Sequence, residues 1–322
     1  MATQTQRGKA FEYACLMAVG ESLSTYQDVR IINSDALTIA QRFHEEFQRS
    51  DPALVNKLDS AARAATRIIC RLEPQLQNPG RNEPLYLSIQ ADSQGRAGDV
   101  RDVLCIRQQN GWEIGISCKH NHAAVKHSRL SYTIDFGDQW FGRPCSALYF
   151  NTIRPLFKEL VDLTGQGQQW SNLRNKAGRF YQPLLAAFVS ELSRLNRAYP
   201  GEIPGSLLRY LLGRNDFYKV ITNDPRRVTV IQAFNIYGTL NKISGRARSE
   251  VNVPPLIMPD QFYDISYKPG SQNTIIVTCN NGWAISFRIH NASTDVEPSL
   301  KFDIHLVGVP PALHTQVEPW EA

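Results

Sequence analysis

Residues 98–119 read GDVRDVLCIRQQNGWEIGISCK, and this stretch decides the fold. Two β-prone runs, DVLCIR and WEIGISCK, flank Asn110-Gly111, a dipeptide suited to the left-handed backbone of a two-residue hairpin turn. With that turn, Asp102 faces Lys119, Leu104 faces Ser117 and Ile106 faces Gly115. Side chains alternate along a strand, so Asp102, Ser117 and Lys119 share one face. A carboxylate and an amine therefore converge at the open end of the hairpin. Glu113 shares the face but lies about 20 Å up the strand from Lys119, too far for both to serve one metal.

Outward from the hairpin, the pattern is α+β. QRGKAFEYACLMAVGESL places Phe11, Cys15, Leu16, Val19 and Leu23 at helical spacing. Ser34 and Asp35 open a second helix, and Asp51 before Pro52 opens a third, so the first 75 or so residues are expected to be helical. EPLYLSIQA is a strand, residues 145–213 return to helix, and strands follow from about 215, with a second hairpin at Asn281-Gly282. The six cysteines show no C-x-x-C pair, which indicates reduced structural thiols, with Cys118 packed opposite the polar face. A net charge of +5 permits a nucleic-acid partner without requiring one. The apolar runs fall short of a membrane span and the N-terminal run is a helix, not a signal peptide, so the expected location is the cytoplasm, with no membrane partner.

Beyond Lys119 the chain continues HNHAAVKHSRLS, with three of its seven histidines within eight residues. A zinc site lacks matching cysteine or acid spacing, and the contiguous letters HNH do not make the finger of that name. His120, His122, Lys126, His127, Ser128 and Arg129 are candidate phosphate contacts; a solvated charge run is the plain alternative. Asp102 and Lys119 have a plain alternative too, a cross-strand ion pair of little energetic worth. The functional reading is phosphodiester hydrolysis. The carboxylate holds Mg²⁺ against a phosphate oxygen, the metal acidifies a bound water, and the lysine orients that water or stabilises developing charge.

These residues resemble the PD-(D/E)XK nuclease core, a mixed sheet flanked by helices in which a helix precedes a hairpin bearing the acid and the lysine. GDVRDVLCI supplies the acid, SCK stands where acid-x-lysine is usual, and RGKAFE resembles the first core helix, whose glutamate (here Glu12) often joins the metal. With the KHNHAAVKHSRLS tail, the combination resembles more specifically the restriction endonucleases of the HaeIII family, over residues 7–140. Ser117 departs from the pattern, because a hydroxyl is a poor replacement for a charged Mg²⁺ ligand. Glu12 is the favoured substitute, Asp99 a turn residue or second ligand, and Asp135 and Asp138 the local acids beyond the lysine.

The resemblance implies a type II restriction endonuclease cutting double-stranded DNA at a short palindrome, GGCC, with a companion DNA methyltransferase and a possible homodimer. Its catalytic residues would be Asp102, Lys119, Glu12 and Ser117, with Asp102, Glu12 and Asp99 as metal ligands. The expected division is 1–215, the helical and nuclease-core region with its hairpin at 99–119, and 216–322, a β-rich region that recognises DNA or completes the core. There Lys242, Arg246, Arg248 and Arg288 are candidate DNA contacts, since arginine reads guanine through paired hydrogen bonds. The rivals are a repair or recombination nuclease on the same core, a DNA-binding module with a dead site, and a scaffold protein.

Overall fold

The computed structural model describes residues 3–77, 83–96, 98–245 and 247–321. Helix α1 (Gln4–Ser24) leads to a short β1 (Val29–Ile31), then α2 (Asp35–Ser50), α3 (Pro52–Leu72) and the single turn α4 (Pro74–Gln77). There follow β2 (Leu85–Ile89), α5 (Asp92–Arg96), β3 (Val103–Arg107), β4 (Trp112–His120) and β5 (Lys126–Leu130). A helical stretch holds α6 (Phe136–Phe141), α7 (Ala147–Gly165), α8 (Gln182–Ala198) and α9 (Ile203–Leu212). The strands β6 (Phe217–Asn223), β7 (Val228–Phe234), β8 (Phe262–Tyr267), β9 (Thr274–Cys279), β10 (Ala284–His290), β11 (Leu300–Gly308) and β12 (Thr315–Pro319) close the chain. The helix starts obey their capping chemistry. Ser34 accepts the Leu37 N–H, and Asp51 accepts the Leu54 N–H with Pro52 opening α3. The expected helical stretch to residue 75 is broken once, by β1, which pairs parallel to β2.

The chain divides into two compact units: residues 1–123, 213–256 and 311–322, and residues 124–212 and 257–310. A cut at 215 follows chain order, whereas the strands after it are shared, β6, β7 and β12 in the first unit and β8 to β11 in the second. The first unit is a mixed sheet in the order β1-β2-β3-β4-β6-β7-β12, antiparallel except at β1–β2 and β4–β6. Its apolar face, including Val103, Cys105, Ile114, Ile116, Cys118, Tyr218 and Val220, packs into one core with α1 and α3. The second unit is an antiparallel sheet, β5-β11-β10-β9-β8. Its inward Phe287 and Phe302 meet Trp140 and Phe188 from the helices.

The two hairpins differ where the sequence made them look alike. At the second, Asn281 and Gly282 both have positive φ, 58° and 83°, as a turn of this kind requires. At the first only Gly111 does, at 65°, and Asn110 instead accepts the Trp112 N–H through its side chain. The loop is therefore 108–111, and the register differs from the expected one by two residues: Leu104 pairs with Gly115 and Ile106 with Glu113. This corrects the Asp102–Lys119 pairing, because the same register sets Asp102 opposite Ser117. An even offset leaves every side chain on its own face. Asp102, Ser117 and Lys119 thus stay together.

Candidate active site

Asp102 lies immediately before β3, where its backbone N–H still bonds Ile116 O. Its Oδ2 accepts the Cys118 N–H at 2.7 Å, Ser117 Oγ at 3.4 Å and Lys119 Nζ at 3.5 Å. Burial alone would pull the Lys119 ammonium down, yet the negative charge of Asp102 and its neighbours outweighs this and holds it above its ordinary value. The surrounding negative charge thus favours the protonated form of Lys119.

Glu12 stands on α1, near enough to feel the charges of Asp102 and Lys119, and the start of that helix is fixed by a capping box between Thr3 and Gln6. It is buried, and its Oε2 takes Lys9 Nζ at 2.9 Å, while Lys9 also holds Asp92 at 2.6 Å. Burial first, then the charge of Asp102, pushes the Glu12 carboxyl up to about 8 against the pull of Lys9 and Lys119. A buried carboxyl raised beside the charge of a second one is a ready seat for a cation. Among the described residues no group of three or more His, Cys, Asp or Glu is clustered to hold a metal. A hard divalent ion fits two carboxylates when substrate phosphate and water complete its oxygen shell.

Asp99 is engaged elsewhere. Its oxygens receive the Arg101 guanidinium at 2.6 and 2.8 Å and Asn215 at 3.1 Å. Arg101 also grips Glu113 at 2.6 Å and lies across Gly115, where any Cβ would collide with it. An arginine thus covers the catalytic face between Glu113 and Ser117. Asp135 is spent as the N-cap of α6, accepting the N–H groups of Asp138 and Cys145.

The basic run after Lys119 is divided between the units. His120 is buried and turned to Asp224 Oδ2 at 3.2 Å, and His122 lies half-buried in the turn beyond. In the second unit Lys126 and Ser128 share the inner face of β5. Lys126 Nζ donates to Tyr210 O at 3.0 Å over that ring, and burial pulls it down to about 8; Ser128 meets Tyr210 Oη at 3.0 Å. His127 and Arg129 occupy the outer face, where His127 and Arg288 flank Asp303 at 3.6 and 3.2 Å, and Arg129 bonds Ser299 at 2.7 Å. Lys242 and Arg248 are exposed on either side of the Ser244–Ala247 turn, and Arg246 lies outside the described residues.

Lys219 was not singled out from the sequence. It stands on β6 directly beside Ser117, almost fully buried, and donates to Ala123 O at 2.6 Å. Burial, then the charge of Lys119, pulls its ammonium down to about 7. The available signal was FYKVIT, a single lysine inside an otherwise apolar strand.

Comparison with known proteins identifies the family. The family model described as HaeIII restriction endonuclease matches residues 8–310. The type II restriction enzyme HaeIII of Haemophilus aegyptius is 40% identical over 314 residues, 98% of this chain and 97% of that protein. No solved structure gives a significant match. Among the described residues no helix is long and apolar enough to cross a membrane. The chain belongs to the HaeIII restriction endonuclease family and is a site-specific deoxyribonuclease.

Proposed function

We propose that this chain is a Mg²⁺-dependent type II restriction endonuclease that hydrolyses double-stranded DNA at the palindrome GGCC, on a PD-(D/E)XK core formed by α1 and strands β2, β3, β4 and β6. One observation carries the reading: Lys119 Nζ lies 3.5 Å from Asp102 Oδ2, with the buried Glu12 carboxyl close enough to feel the charge of both. Asp102 and Glu12 would hold the ion. Bound there, Mg²⁺ supplies positive charge to a phosphate oxygen and acidifies a water. Lys119, kept protonated, directs its N–H groups to the attacking water and the pentacovalent phosphate. Ser117 fixes the rotamer of Asp102 by donating to it, and Asp99 holds Arg101 over the same face. As the water oxygen bonds to phosphorus and releases a proton to solvent, one P–O ester bond breaks, and the departing oxygen leaves with the bonding electron pair and takes up a proton from solvent.

The outer row of β5, β10 and β11, with His127, Arg129 and Arg288, is assigned to DNA, as are Lys242, Arg246 and Arg248 after β7. The 2-fold symmetry of a palindrome suits a homodimer, and a restriction role carries with it a companion DNA methyltransferase. Incubation with plasmid DNA and Mg²⁺, followed by sequencing of the ends, tests the whole reading. Discrete fragments ending within GGCC are expected; cuts set by DNA structure instead of sequence, or none, would sink it.

A further inference from the structure

Lys219 is a buried amine in the wrong surroundings for a structural charge. It is 3% exposed, and among the described residues it forms no ion pair; its hydrogen bond goes to a backbone carbonyl, Ala123 O. An ammonium taken out of water without a counter-charge is costly. Strand pairing says where it stands. β6 runs parallel to β4 with Ser117 beside Lys219, and the hairpin register sets Asp102 on the other side of Ser117. A row Asp102, Ser117, Lys219 therefore crosses three strands on the catalytic face, and Lys119, two residues along β4, faces the same way. The central member of the row is a neutral hydroxyl. A carboxylate there would neutralise Lys219, whereas serine leaves the ammonium for an incoming anion.

We propose that Lys219 is a further catalytic residue, its ammonium bound to a non-bridging oxygen of the scissile phosphate beside Lys119. This rests on the nuclease reading of Asp102 and Lys119. In the step, the water oxygen bonds to phosphorus and releases a proton to solvent, the ester P–O bond breaks with its electron pair on the departing oxygen, and Lys219 keeps the proton that the bound phosphate's negative charge stabilises. Its contribution is charge placed where negative charge accumulates, in a region closed to water. The Ala123 carbonyl aims the ammonium by tethering it to the turn that follows the catalytic strand.

The test compares Lys219→Met and Lys219→Gln with the parent and with Asp102→Ala. Single-turnover cleavage of a GGCC duplex in Mg²⁺, affinity for that duplex in Ca²⁺, and thermal melting are measured together. Both Lys219 variants should cleave about 10²–10³-fold more slowly, the loss typical of one preorganised transition-state contact. They should still bind the duplex and melt no lower than the parent, because a buried unpaired charge has been removed. Parental rates in Lys219→Met would overturn the assignment. So would parental rates in Lys219→Gln, which keeps a donor for Ala123 and would mark the tether as the whole role. A rate loss matched by a fall in melting temperature would likewise make the lysine structural. If Asp102→Ala is inactive while Lys219→Met cuts normally, this inference alone fails; if Asp102→Ala cuts, the underlying site is wrong and takes Lys219 with it.

Discussion

In the first unit Glu12 on α1 and Lys119 and Lys219 on the sheet are kept largely away from water, with side chains 8% exposed at Glu12 and 21% at Lys119. The outer face of the second sheet leaves His127 45%, Arg129 44% and Arg288 53% exposed around Asp303. Charges of the first kind are costly to form, as the carboxyl of Glu12 shows, pushed up to about 8 by burial first and then by the charge of Asp102. Charges of the second kind are screened, and their ion pairs are worth about 0–1 kcal/mol. A group of buried charges is suited to chemistry at one point. Exposed charge is suited to a long polyanion, where many weak attractions sum. The two faces should therefore fail differently when mutated, the first in rate and the second in affinity.

The largest effect is expected at Asp102 and Lys119. Alanine at either position should reduce cleavage by at least about 10²–10³-fold with DNA binding largely retained. Near-normal turnover in either variant would erase the contrast between the two sheets. Next comes the cation. Glu12→Ala should raise the Mg²⁺ concentration for half-maximal cleavage by about tenfold or more, or stop cleavage in a folded protein. Asp135→Ala, which removes a helix cap, should lower stability by about 1 kcal/mol and leave the Mg²⁺ requirement alone. The reverse pattern would move the metal to the segment after the lysine.

On the second sheet, Arg129→Ala and Arg288→Ala should leave the rate of bound complex nearly unchanged. Each should flatten the dependence of log affinity on log salt by about 0.9 for every phosphate that the variant no longer neutralises. A changed base preference at constant salt slope would instead make the residue a reader of sequence.

Much of the first sheet's site was legible because it depends on parity, and parity survives an even error. Asp102, Ser117 and Lys119 share a face in both the expected and the observed register. The register itself was not legible, since Asn110 uses its side chain where Asn281 uses its backbone. Lys219 escaped because it comes from a strand about a hundred residues further on, paired parallel to β4 after a helical excursion, and sequence pattern carries no pairing information at that range. The run from Lys119 to Arg129 misled in the opposite way. Its charges look like one cluster, but the division between units falls at residues 123 and 124, and strand alternation then sends Lys126 inward to Tyr210 and His127 outward.

The smallest effect on cleavage is expected from a third carboxylate, buried in the first unit but outside the catalytic row. Glu73 is fully buried; its Oε1 accepts Tyr218 Oη and the Asn241 N–H, both at 2.7 Å, while Oε2 has no hydrogen-bond partner among the described residues. Burial pushes its carboxyl up from 4.5 to about 7. Between those values the folded protein holds a proton that the unfolded chain has released. Stability therefore falls as pH rises from about 4.5 to 7, by an amount on the order of 3 kcal/mol, and this group adds no further slope above that. Glu73→Gln keeps the Oε1 acceptor and cannot ionise, so it should abolish this part of the slope and be the more stable form at pH 8. The gain there should be smaller than the full amount, because the new amide donor has no acceptor in the place of Oε2, at a cost of about 1–3 kcal/mol. Urea unfolding at pH 5 and pH 8 measures both arms, with cleavage of a GGCC duplex as the control. An unchanged pH slope in Glu73→Gln would show that the carboxyl is ionised in the fold, and a diminished cleavage rate would show that buried charge in this unit serves the reaction beyond the catalytic row.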